Sequence, residues 1–308
     1  MKILITGSNG LLGQKIIYQL TGTPGVEIIA TSKGPNRLKM KEGYAYFPLD
    51  ISNREEVINL VSDQRPDCII NTAAMTNVDA CELDPGACKA LNVDAVSHLL
   101  EAVKGTECHF IHLSTDFVFD GSAGPYAEDD IPNPQSTYAQ SKLDSENIVR
   151  ASGDNWAIIR TIIIYGVTDD AQRSNLVLWT KSSLEQGKTI NVITDQFRSP
   201  TLAEDLADAC IQAALRHAKG VFHVAGPENE IDSIINLVRK IAEYYQLDSS
   251  LIKPVSSAEL NQPAKRPRFT GFILGKAERE LGYKPHTLRE GLKIVSRQLE
   301  LKEAGPGK

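Results

Sequence analysis

The sequence predicts an α/β chain built on a doubly wound parallel sheet, with a smaller C-terminal domain interleaved into it. Three observations carry that expectation. Short, continuously apolar runs alternate with segments of helical periodicity over the first half of the chain. Runs of that kind are strands of a parallel sheet covered by helices on both faces. A glycine-spaced turn, TGSNGLLG, joins the first apolar run to the first helical one. After Tyr165-Gly166 the rhythm changes to more polar, mostly helical sequence, and one late apolar run, VFHVAG, follows.

In chain order, KILIT (2–6) reads as a buried strand and LLGQKIIYQL (11–20) as a helix with apolar residues at helical spacing. VEIIATS (26–32) and AYFPLD (45–50) are the next strands, and NREEVINLVSDQ (53–64) is a helix. DCIINTAA (67–74) is a strand. A long helix is expected over 84–104, with Asp84 as N-cap and Pro85 at its first position. CHFIHLST (108–115) is a strand, TYAQSKLDSENIVRA a helix, and NWAIIRT (155–161) a strand. Beyond them, 167–191 is expected to be mostly helical and LAEDLADACIQAALRH (202–217) amphipathic. The tail shows helices near 231–245 and 288–301, irregular sequence at NQPAKRPRFTGF, and a fraying EAGPGK end. The domains are therefore expected at 1–166 with 200–226 returning to it, and at 167–199 with 227–308.

The 308 residues allow one large or two interleaved domains. A net charge of −6 gives no basic excess, so neither nucleic acid nor an anionic membrane is an expected partner. The five cysteines form no C-x-x-C pair and are odd in number, which reads as reduced thiols in a cytoplasmic protein. No window is long and apolar enough for a leader or a membrane span. The scattered acids have no metal-ligand spacing, so no metal is expected.

Gly7, Gly10 and Gly13 are spaced G-x-x-G-x-x-G between a strand and a helix, with Asn9, Leu11 and Leu12 completing the loop. Glycine lets the backbone turn sharply and approach a diphosphate, and the helix N-terminus offers it unpaired N–H groups. The second strand ends in ATSKGPNR, where Ser32, Lys33 and Arg37 stand without a carboxylate. A carboxylate there would favour the ribose hydroxyls of NAD. Cations and a hydroxyl suit the extra phosphate of NADP(H), with NAD(H) the alternative cofactor.

STYAQSKLDSE places Tyr138 and Lys142 one turn apart on a helix face. A free phenol is a poor proton donor or acceptor at neutral pH, and a nearby ammonium favours its ionised form. Tyr126 and Tyr165 have no such lysine, and His112, inside an apolar strand, reads as a core histidine.

The glycine loop, the Asp50-Ile51 pair, the NTAA segment with Ala73 and Ala74, and Tyr138-x-x-x-Lys142 come in the order of the extended short-chain dehydrogenase/reductases. The chain resembles that family over nearly its whole length. HLSTDFVFDG is similar to the STDYVFDG signature of its dTDP-4-dehydrorhamnose reductase branch, and DQFRSPTLAEDLA to DQxGSPTYAEDLA. The resemblance implies Tyr138 as the proton-transferring phenol and Lys142 as the cation that binds the nicotinamide ribose and acidifies it. Ser114 and Thr115 both qualify by type as the hydroxyl for the substrate carbonyl, and the signature implies Thr115. MTNVDACE resembles the HTAVDKAE loop, which implies Thr76, Val78 and Asp79 in the substrate pocket, and Asn175 falls where the family holds the nucleotide sugar.

Two departures stand out. Ile163 replaces the tryptophan of RTSWVYG. Arg198 replaces a glycine and is expected either on a substrate phosphate or in a structural ion pair.

The resemblance thus implies an NADPH-dependent reductase of a nucleotide-activated 4-keto deoxysugar. A sugar-nucleotide epimerase of the same branch is a second reading. A dehydratase would need an Asp-Glu pair after the threonine, and Phe117 follows Asp116. A third reading is a cofactor-binding regulatory subunit like the β subunit of methionine adenosyltransferase, which Asn92, Asp94 and Ala95 also match. The family further implies a homodimer.

Overall fold

The computed structural model describes residues 1–170 and 174–303. Seven parallel strands form the central sheet: β1 (Lys2–Thr6), β2 (Glu27–Ser32), β3 (Ala45–Pro48), β4 (Cys68–Asn71), β5 (His109–Thr115), β6 (Trp156–Thr161) and, much later, Gly220–Val224. The spatial order is β3-β2-β1-β4-β5-β6, with Gly220–Val224 beside β6 at the far edge. The chain winds outward from β1 through β3, then crosses back to β4 on the other side of β1. That reversal makes a crevice at the carboxyl ends of β1 and β4, where α/β sheets bind ligands.

Alternate residues of β1 face opposite layers, as the two-residue period of a strand requires. Ile3 and Ile5 pack with Ile16 and Ile17 of α1 (Leu11–Leu20), while Leu4 packs with Val57 and Val96. Val57 belongs to α2 (Arg54–Gln64), capped by the Asn53 side chain. The strand that the apolar runs predict is thus buried on both faces.

The expected long helix over 84–104 is interrupted. After the six-residue α3 (Val78–Leu83), α4 (Pro85–Lys89) starts with Asp84 as N-cap and Pro85 at N1, as expected. A π turn, Ala90–Asp94, then leads into α5 (Ala95–Ala102). Composition does not distinguish a π turn from an α turn, and such turns gather at functional sites. Here it carries Asn92, whose amide accepts from Met75 N (2.8 Å) and donates to Met75 O (3.0 Å) and Ser141 Oγ (3.0 Å). α6 (Thr137–Ala151) begins on Ser136, whose Oγ accepts from Ala139 N.

The remaining part was only coarsely readable. β7 (Ile164–Tyr165), α7 (Leu176–Glu185), β8 (Ile190–Ile193), β9 (Phe197–Arg198) and β10 (Thr201–Leu202) lead to α8 (Ala203–Leu215), which packs on α1. β11 (Gly220–Val224) then enters the main sheet. β12 (Asp232–Ser233), α9 (Ile234–Tyr244), β13 (Ile252–Val255), α10 (Gly275–Leu281) and α11 (Leu288–Glu303) complete the chain. The pairs β7–β10, β9–β12 and β8–β13 are two-stranded. Strands of two residues have no period to read, which is why the sequence shows none of β7, β9, β10 and β12; β8 and β13, of four residues each, are set by their pairing with one another. The expected fraying of EAGPGK falls almost wholly outside the described residues.

Candidate active site

A cleft of about 600 Å³ opens at the carboxyl ends of β1, β4 and β5. Gly10, Leu11 and Leu12 form one wall, Thr115, Tyr138 and Lys142 another. Thr72, Ala74, Thr76 and Val78 come from the segment after β4, and Ile163 and Asn175 from the far side. Sequence positions 10 to 175 thus converge on one space.

The glycine loop is built for close approach. Gly7 has φ +67, and a Cβ there would lie 2.9 Å from Ala73 N. A Cβ on Gly13 would lie 2.6 Å from Gly7 O. Gly10 is the N-cap of α1 and adds no side chain to its N–H groups, and the first turn carries no acidic residue. Ser8 Oγ is buried without a hydrogen-bond partner. An anion at this helix end meets free donors and no competing carboxylate, so the loop fits a diphosphate. Asn9 is directed elsewhere: its amide donates to Pro35 O (3.0 Å) and accepts from Arg37 N (2.9 Å), fixing the loop after β2.

That loop holds Ser32, Lys33 and Arg37. Its cations have carboxylate partners that the local sequence does not contain. Lys33 pairs with Asp50 at 2.7 Å and Arg37 with Asp170 at 3.5 Å. Asp50 also accepts from Ser52, and its carboxyl is held below the usual range chiefly by the Lys33 hydrogen bond. Both cations are at least half exposed, so these pairs are weak and can be exchanged for a phosphate. Ile51 is buried, and its carbonyl faces His98 Nδ1. Ala73 N donates to Thr6 Oγ1 behind the loop.

Tyr138 packs with Cys81 and Cys88, and edge-on to Phe117. Burial raises its phenol well above the ordinary value, opposed by a hydrogen bond with Thr115. The Lys142 Nζ lies 3.2 Å from His112 Nε2, and burial pushes the ammonium down to about 8. Thr115 Oγ1 donates to Asp116 Oδ1 (3.0 Å) and accepts from Phe117 N (3.2 Å).

Two of the proposed substrate residues stand outside the cleft lining. Arg198 is 1% exposed. Its guanidinium meets Asp116 Oδ2 at 3.2 Å and donates to the carbonyls of Phe197, Pro267 (2.6 Å) and Arg268 (3.1 Å). Each of the three guanidinium nitrogens has a partner within the protein, so the structural ion pair replaces the expectation of a phosphate contact. Asp79 is held by Arg266 through two hydrogen bonds, 3.1 and 2.7 Å, and accepts from Ala264 N. It joins α3 to the tail, correcting its expected place in the pocket. Asn175 keeps both roles in reach: it caps α7, donates to Gly166 O, and lines the cleft.

Sequence reasoning missed Asp116 as the partner of Thr115. Its adjacency within STDF was the available signal. It also missed Ile163 as a strained position: φ is +27, unfavourable for a β-branched residue. Among the described residues no cluster of three or more His, Cys, Asp or Glu is placed to hold a metal, and no helix is long and apolar enough to cross a membrane.

A seven-stranded parallel sheet with a glycine loop at its switch point, and a Tyr–Lys pair on the helix after β5, define a short-chain dehydrogenase/reductase fold of the extended kind. Within that class, the chain belongs to the family described as RmlD substrate binding domain, which matches residues 1–301. It is 34% identical over 299 residues to a Haloferax volcanii protein named "Probable low-salt glycan biosynthesis reductase Agl14", covering 95% of this chain and 96% of that one. It is 32% identical to a dTDP-4-dehydrorhamnose reductase of Sinorhizobium fredii, covering 92% of each. It is 30% identical to the methionine adenosyltransferase 2 subunit beta of Rattus norvegicus, covering 90% of this chain and 81% of that one.

Among solved structures, a dTDP-4-dehydrorhamnose reductase from Clostridium acetobutylicum superposes with TM-score 0.85 at 31% identity, covering 98% of this chain and all of that one. The Bacillus anthracis reductase in complex with NADP gives 0.82 at 26% identity, over 96% of this chain and 99% of that one.

Proposed function

We propose that the protein is an NADPH-dependent reductase of the 4-keto group of a nucleotide-activated deoxysugar, converting dTDP-4-dehydro-L-rhamnose to dTDP-L-rhamnose. One observation carries this reading: the glycine loop, the Thr115 hydroxyl, the Tyr138 phenol and the Lys142 ammonium open on the same cleft. The relatives named as dTDP-4-dehydrorhamnose reductases, and the NADP complex of one of them, support the substrate and the cofactor.

The chain would hold the dinucleotide at Gly7, Gly10 and Gly13, with Ser32, Lys33 and Arg37 at the ribose phosphate and Lys142 at the nicotinamide ribose. When bound, the reduced nicotinamide supplies a hydride to the sugar C4. Tyr138 gives its phenolic proton to the C4 oxygen as negative charge develops there. A phenol with a raised pKa keeps that proton through neutral pH and releases it only to the stronger base, an alkoxide. Thr115 donates to the same oxygen, as an oxyanion-type partner, when its one hydrogen turns from Asp116. Asp116 keeps Arg198 and Thr270 as partners meanwhile. Thr76, Val78 and Asn175 line the sugar side, with Ile163 in place of an aromatic floor. The part after Gly166 would supply most of the lid over the substrate, and the first part the cofactor side.

The test is turnover of dTDP-4-dehydro-L-rhamnose, generated in the assay, with loss of reduced-nicotinamide absorbance. Rapid oxidation by the wild type and its loss in Tyr138→Phe is the expected result. NADPH binding without oxidation would instead favour the cofactor-binding subunit, the reading that the methionine adenosyltransferase relative supports.

A further inference from the structure

We infer that His112 is the positioning residue for Lys142: its Nε2 accepts a hydrogen bond from the lysine ammonium and fixes it in the cleft. The inference rests on the reading of Lys142 as the cation that serves Tyr138. Lys142 is 3% exposed, and among the described residues the one side-chain atom within hydrogen-bond distance of its Nζ is His112 Nε2, at 3.2 Å. A buried ammonium needs acceptors. The carboxylate one turn further on its own helix, Glu146, is held by Arg160 and Arg150. Cys88 from α4 also acts on the ammonium, and Tyr138, one turn before, lines the same cleft. Ser145 Oγ donates to the Lys142 backbone carbonyl (2.7 Å) and faces the same Nε2 at 2.9 Å.

His112 is itself anchored. Its Nδ1 lies 3.2 Å from the Asn71 amide, and Asn71 meets Thr6 Oγ1 at 2.6 Å, so a buried polar chain runs from the end of β1 to Lys142. That chain has two polarities. If Asn71 gives an N–H to Nδ1, the imidazole proton sits on Nε2 and faces Ser145. If the amide is turned over, Nδ1–H donates to Asn71 and the Nε2 lone pair is free for Lys142. Thr6 tolerates either, because a hydroxyl accepts as well as donates. The ammonium selects the second polarity. Burial and the adjacent cation keep the imidazole neutral, as that arrangement requires.

The experiment reads the tautomer of His112 in the full-length, substrate-free protein by long-range ¹H–¹⁵N NMR at neutral pH, assigned with His112→Gln. The wild type is expected to show a neutral ring protonated at Nδ1, and Lys142→Met is expected to move the proton to Nε2. An Nε2–H ring in the wild type, or the same tautomer in both proteins, would overturn the inference whatever the enzyme turns over. A second reading uses the pH dependence of NADPH binding and turnover. Losing the acceptor in His112→Phe should move the basic limb down by about one unit, a tenfold change in proton affinity, while His112→Gln, which keeps an acceptor, should stay near the wild type. Equal shifts in both variants would contradict the positioning role. The expected tautomers without any keto-sugar turnover would sink the proposed reaction and leave this inference standing.

Discussion

Thr115 has a single hydroxyl hydrogen, and in this structure it points to Asp116. Asp116 therefore orients the hydroxyl that the proposed reaction assigns to the sugar oxygen, and Arg198 is its counter-ion. Replacing Asp116 by Asn leaves a buried guanidinium without that charge. Asp116→Asn is expected to cost about 3–5 kcal/mol of stability, measured by denaturant titration, and Asp116→Asn with Arg198→Met should recover part of it. Lys142 sets a second expectation at this scale. With its ammonium pushed down to about 8, kcat/KM should fall on a basic limb near that pH, and the limb should be absent from a Lys142→Met profile. The convergence of Tyr138, Lys142 and Thr115 on one cleft was legible because spacing marked the first two and the family signature marked the third. The misplacement of Arg198 and Asp79 has a common cause: their partners, Asp116 and Arg266, are remote in sequence or come from another element. Nothing in the local pattern shows which way a charged side chain turns.

At the scale of elements, the glycine loop and α1 act as one unit. A Cβ at Gly13 would press on Gly7 O and Ser8 Cα, both backbone, so the loop would have to open. Gly13→Ala is expected to weaken NADPH at least about tenfold in a fluorescence titration, the size of one or two lost charge-assisted hydrogen bonds. Far-ultraviolet circular dichroism should stay unchanged. Unaltered NADPH affinity would contradict the cradle. The elements most legible in sequence were those with strong periodicity: α1 and α6 match their expected extents, and the central strands come close except β4, which ends at Asn71 rather than Ala74. The π turn at Ala90–Asp94 was not legible, because it is fixed by Asn92 bonding across to Met75 and Ser141. The two-residue strands around Arg198 were likewise set by tertiary pairing alone.

For the whole molecule, burying Lys142 carries a stability cost with a definite pH sign. Its folded pKa, about 8, lies below the ordinary lysine value, so between the two the unfolded chain binds more protons. Stability from this group is lowest below pH 8 and rises as pH increases toward the unfolded value. Lys142→Met should be more stable than the wild type at neutral pH, by on the order of 1–3 kcal/mol, and should lose that rise. Thermal melts from pH 6 to about 10 check it. The chain accepts the cost because the sheet brings residues far apart in sequence to one cleft, with the glycine wall at one side and Tyr138–Lys142 at the other. The central claim is that this cleft moves hydride from NADPH to a sugar carbon. The direct measurement uses NADPH deuterated at the transferred position with dTDP-4-dehydro-L-rhamnose, and reads the sugar product by mass spectrometry. One deuterium at C4 of dTDP-L-rhamnose, absent with Tyr138→Phe, is the expected result. A protein that binds the deuterated cofactor yet leaves the sugar unlabelled would contradict the account.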